Sequence, residues 1–146
     1  MGKAERERRH RANLARIEQV QRVVGKGDRM RVDQVGTLLE RARLFAEELQ
    51  AHKATELGLA AFERLLARAE EQDTPSRHEV LAFLDAITAG RTLPLGSLRG
   101  VPAAVGDDML DVLDAFRHAR LTLAVEVRGG ADRVGRVLAG RPVASA

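Results

Sequence analysis

Two sets of charged residues in this chain have types and spacings that could do chemistry. The first is the opening stretch KAERERRHRANLARIEQVQRVV, which holds Arg6, Arg8, Arg9, Arg11, Arg16 and Arg22. Each guanidinium presents a planar fork of donors that fits a phosphate or carboxylate. A run of them along a helix is expected to contact an anionic partner, a nucleic acid or a nucleoprotein complex, by following its phosphates. Such contacts are largely independent of base sequence. The second set is Asp107, Asp108, Asp111 and Asp114, where positions 107, 111 and 114 share one helical face. That spacing suits docking to another protein. A divalent cation would require further oxygen ligands that the surrounding sequence does not supply, and acids near a helix start also complement the helix dipole. No metal is expected.

Other routes to catalysis are missing. His10, His52, His78 and His118 are scattered over different segments, and the HEVLA around His78 lacks the second histidine of a metalloprotease helix. Ser76 and Ser97 have no Gly-x-Ser-x-Gly context, and the GKGD at residues 25–28 lacks the spacing of a phosphate-binding loop. With no cysteine there is no thiol nucleophile, disulfide or cysteine metal site. The expectation is a protein that is not an enzyme and takes no cofactor.

Charge is divided along the chain. Residues 1–31 carry ten Lys or Arg against four acids, residues 32–127 ten against sixteen, and residues 128–146 four against one. An acidic body with basic ends suggests an arm that meets something anionic. There is no Trp or Tyr and there are four Phe, so bases have few aromatic platforms to stack on and the core must be aliphatic. Apolar runs are too short to cross a bilayer and the arginine-rich start lacks the apolar segment of a signal peptide. The expected location is the cytoplasm, with no membrane partner and the oligomeric state left open.

The elements that position these residues are helices. A first helix is expected over Ala4–Val24, with Leu14, Ile17, Val20 and Val24 on a narrow stripe and its first turns lacking any apolar face, hence solvated or unordered until bound. Gly25 to Asp28 ends it. A second, Val32–Gln50, aligns Val35, Leu38, Leu39, Ala42, Phe45, Ala46 and Leu49. The stripe then lapses, and a third helix resumes through Leu59, Phe62, Leu65, Leu66 and Ala69 in a different phase, which predicts a bend or a short turn near His52 to Glu56. Ser76 and Glu79 have capping-box spacing for a fourth helix ending at Gly90. The loop Arg91–Val101 is expected to plug the core with Leu93, Leu95 and Leu98. Pro102 opens a fifth helix, whose GDDMLD start would repel a DNA backbone and so argues against a helix-turn-helix. LTLAVEV alternates, yet has no strand to pair with and is read as helix; a short helix over Ala131–Leu138 precedes a frayed tail. Leu39, Phe45, Phe62, Leu66, Phe83, Leu84, Leu113 and Phe116 are expected to meet in one core.

The fold expected is therefore all-α, about five or six helices forming one compact bundle, with a basic N-terminal helical arm over 1–31, a body over 32–128, and a short helix and tail over 129–146. The stretches AFERLLARAEEQDTPSRHEVLAFLDAI and SLRGVPAAVGDDMLDVLDAFRHAR resemble an uncharacterised helical domain found on conjugative elements and plasmids of proteobacteria. The resemblance lies in the apolar-charged helix, the turn from Asp73-Thr74 to Ser76-Arg77, Phe83-Leu84, and the block from Ala103 to Asp107-Asp108-Met109-Leu110. It covers roughly the second half of the chain. Members of that family carry a tryptophan pair near the end of the helix that here reads LDAITA, so no role of those tryptophans transfers. The resemblance implies a small accessory protein of mobile DNA and no established activity. Two functions are consistent with this reading: binding an anionic partner through the basic helix, or, as an anti-CRISPR-like inhibitor, docking on a host defence complex through the acidic body.

Overall fold

The computed structural model describes residues 1–119 and 121–140, and the expected frayed tail beyond residue 140 lies outside them. Among the described residues the chain is all-α apart from one minimal hairpin. The elements are α1 (Lys3–Ile17), β1 (Val23–Val24), β2 (Arg31–Val32), α2 (Gln34–Glu70), α3 (Arg77–Ala89), α4 (Ala103–His118), α5 (Leu123–Glu126) and α6 (Gly130–Ala139). Packing divides the chain into two units, Met1–Lys53 and Ala54–Ala146, so the division falls inside α2 and the basic segment packs with the first half of that helix.

The first unit is built on little apolar burial. α1 ends at Ile17, short of the expected Val24, because Val23 and Val24 instead pair antiparallel with Val32 and Arg31. This hairpin escapes the sequence pattern because its strands are only two residues long, too short to show a period. Gly25 is required in its turn: φ is +95°, and a Cβ there would stand 2.3 Å from the Arg29 carbonyl oxygen. Asp33 caps α2, its Oδ1 accepting the Gly36 amide at 3.0 Å. From there α2 runs unbroken for 37 residues. The expected second and third helices are one, and no turn interrupts it at His52 to Glu56, since Ala51 to Glu56 contains no glycine or proline to break the hydrogen-bond ladder. The change of phase in the sequence is carried by a continuous helix, around which the apolar positions move.

The second unit holds the hydrophobic core. Phe62, Leu65, Leu66 and Ala69 of α2 meet Val80, Leu81, Phe83 and Leu84 of α3 and Val105, Met109, Val112 and Ala115 of α4, closed by Leu123, Val127, Val134 and Val137. α2 and α4 touch backbone to backbone at Gly58, where a Cβ would lie 2.1 Å from that of Ala115. LTLAVEV forms the single turn α5, burying Leu123 and Val127. Three expectations change. The capping box does not form: Ser76 adopts φ +66° and makes no side-chain cap bond, while Arg77 instead donates to the Ala69 carbonyl at the end of α2, at 2.9 Å. Leu93 and Leu98 pack on the core, but Leu95 points to water. Of the expected core, Phe62, Leu66, Phe83 and Leu84 are buried and Leu113 packs against them, whereas Leu39 and Phe116 are exposed and Phe45 is half-buried in the first unit. Phe116 occupies the last turn of α4, where no further element covers it.

Ion pairs fix the helices of this unit. Arg64 donates from Nη2 and Nε to buried Asp108 at 2.8 and 3.1 Å. Arg133 of α6 donates to Glu63 at 2.6 Å and from Nε to Glu70 at 2.9 Å, both on α2. These bonds hold the Arg64 and Arg133 guanidiniums more firmly protonated than usual.

Truncating Phe62 to alanine is expected to lower unfolding stability by about 3–5 kcal/mol, while Phe116→Ala stays within about 0.5 kcal/mol of the parent in the same denaturant titration. The Arg64–Asp108 pair predicts a second asymmetry. Arg64→Ala leaves a buried carboxylate unpaired and should cost about 2–3 kcal/mol. Asp108→Ala should cost less, because the half-exposed Arg64 side chain can turn to water.

Candidate anion-binding helix

α1 has no fully buried residue, yet it is helical from its third residue. The bonds that dock it on α2 are polar. The His10 imidazole donates from Nδ1 to Glu48 Oε1 at 2.9 Å, and the Asn13 amide donates to the same oxygen at 3.1 Å. The His10 ring stacks on His52, centroids 4.0 Å apart and planes within 6°. Leu14 and Ile17, half-buried on the same inner side, add the apolar part. The first turns, expected to be solvated or unordered until bound, are thus helical and largely solvated. Sequence reasoning missed these anchors because His10 and Glu48 are 38 residues apart, and nothing local to either marks the pairing.

Docking by the inner face decides what the six predicted arginines can do. Arg8, Arg9 and Arg11 are exposed and make no hydrogen bond or ion pair among the described residues. Helical spacing sets Arg8 and Arg11 on the outer side and Arg9 with Arg16 along one flank. Arg16 is exposed and donates to Asn13 at 2.7 Å. The exposed residues between them include Ala4, Ala12 and Ala15, small enough for a polyanion backbone to come close. Arg6 is different, being half-buried and donating to the Met1 carbonyl at 2.8 Å. Arg22 lies off the helix in the approach to the hairpin, where its amide donates to Thr37 Oγ1 and its carbonyl accepts from Asp33. The six arginines therefore do not form one row.

The acidic set is likewise divided. Asp107 is exposed, Asp111 is half-buried, and Asp114 pairs with Arg117 at 2.6 Å. Asp108 is taken inside by Arg64, which removes it from any docking stripe. Among the described residues no three His, Asp or Glu side chains converge in a way that could hold a metal ion, and no helix is long and apolar enough to cross a membrane.

Comparison with known proteins places the second unit and not the arginine helix. No curated protein and no solved structure matches the chain. A model of a family of unknown function, DUF7673, matches residues 59–141, which begin in the second half of α2 and take in α3 to α6. The match spans more than half of the sequence, and the chain belongs to this family.

Proposed function

We propose that this is a non-enzymatic accessory protein of a mobile element that binds an anionic partner, a nucleic acid or nucleoprotein complex, through the outer face of α1. The observation that carries the reading is the trio Arg8, Arg9 and Arg11, exposed and unengaged on a helix whose opposite face is already docked. A helix held in place before binding presents its guanidiniums without a folding cost at the moment of contact. The mobile-element origin rests on the resemblance of the second half of the chain to domains carried by conjugative elements, and cytoplasmic residence goes with it. A second reading, a protein-docking inhibitor of a host defence complex, draws on α4, where exposed Leu110 sits between Asp107 and Asp114.

Reversing Arg8, Arg9 and Arg11 to Glu is expected to abolish binding to single- or double-stranded nucleic acid in a fluorescence-anisotropy titration, with the melting of the core unchanged. For the parent chain, three phosphate contacts imply a loss of affinity of about 40-fold between about 50 and 200 mM salt. Undiminished association with a protein target by the reversed variant would transfer the function to α4. Removing the anchor gives an independent check. Glu48→Ala deletes the acceptor shared by His10 and Asn13, so amide exchange in α1 should accelerate while amides around Phe62 and Phe83 keep their protection. Affinity for nucleic acid should fall with it, because an isolated helix of fifteen residues is marginal in water.

A further inference from the structure

The apolar stripe of the first half of α2 is on the outside. Val35, Leu38, Leu39 and Leu49 are 68, 64, 67 and 53% exposed, and Ala42 and Ala46 between them are exposed as well. These six residues cover a sector of roughly 100° on the helix, the width of a core-facing stripe. No charge interrupts it. Arg43, at its margin, is held away between Glu40 and Glu47, each at 2.6 Å, and Arg41 donates to the Val20 carbonyl on the side where α1 docks.

From this the geometry points to a second copy of the chain as the occupant, paired antiparallel through α2 about a twofold axis at Ala42. The stripe is complementary to itself in that register. Val35 meets Leu49 of the other copy, Leu38 meets Ala46 and Ala42 meets Ala42, with Leu39 closing over the half-buried Phe45, so every exposed apolar residue of the stripe has an apolar partner. Helix backbones approach closely where the alanines meet.

Two further observations favour this occupant. The first unit has no large apolar side chain fully buried, and all the fully buried ones belong to the second unit, so 53 residues lack a core of their own while displaying an apolar face. Small units with little core of their own draw stability from a disulfide, a metal or oligomerisation, and this chain has no cysteine to form the first. The stripe presents on the order of 500 Å² of apolar surface, near the upper limit for monomers. Pairing would remove on the order of 1,000 Å², the size at which specific interfaces begin. Glu48 and His52, which hold α1, and Thr37 and Arg41, which hold the segment after it, lie on another side of α2, so the proposal does not depend on what the arginines bind.

Sedimentation equilibrium of the full chain should give twice the 16.0 kDa chain mass. Ala42→Glu apposes two carboxylates across the axis and should return the mass to that of one chain, with helical circular dichroism retained because residue 42 is exposed in the single chain. The sequence has no cysteine, so single thiols report the register cleanly. Under a mild oxidant Ala42→Cys should cross-link to a covalent dimer, and Glu47→Cys, on the polar face, should not. A parent chain that sediments at 16.0 kDa at every concentration would leave the stripe to a different protein and overturn the proposal. Cross-linking of Val35→Cys to itself would overturn the antiparallel register.

Discussion

A single helix of 37 residues has to serve both halves of this protein. Its apolar positions change phase by about half a turn between Leu49 and Leu59, and the unbroken hydrogen-bond ladder of α2 turns that change into a rotation of the sticky face. In its second half the apolar face is filled by α3 and α4, with Gly58 letting α4 come to backbone contact at Ala115. In its first half the apolar face is left to solvent, and the contacts with α1 are made by residues of a different character.

That division explains why α1 is held by polar bonds. Glu48 and His52 face it and are met by His10 with Asn13 and by the His10 ring, while Thr37 and Arg41 hold the segment that follows it through the Arg22 amide and the Val20 carbonyl. Polar docking of this kind specifies position at modest net energy, since each bond replaces one to water. It also separates two tasks within one short helix. Inner residues fix the helix in place, and Arg8, Arg9 and Arg11 are left exposed to solvent. Arg6 shows the contrast, because its guanidinium is bonded to the Met1 carbonyl, whereas Arg22 holds the first unit together only through its backbone.

The second unit follows the opposite logic. Its core is aliphatic and phenylalanine-filled, and its charged residues brace the helix ends around that core: Arg64 on Asp108, Arg133 on Glu63 and Glu70, Arg77 on the last turn of α2. This is the part of the chain that the family model matches. The candidate binding helix begins 56 residues before the matched segment, so its function need not be the family's.

What the sequence determined by itself is whatever depends on neighbours within a few turns. Composition set the all-α class, periodicity placed α3, α4 and α6 and named Phe62, Leu66, Phe83 and Leu84 as core, and the arginine spacing marked α1 as basic. Three things were settled only in three dimensions. The phase change fits two helices joined by a bend or turn as well as one helix whose apolar positions move around it, and the structure shows one continuous helix. Docking of α1 depends on a histidine and a glutamate 38 residues apart, whose pairing leaves no local trace. Asp108 and Phe116 exchange their expected places, the acid going inside and the aromatic ring outside, because Arg64 reaches the one and no element covers the other. Burial is a property of what packs above a residue, and periodicity records only which side of its own helix that residue is on.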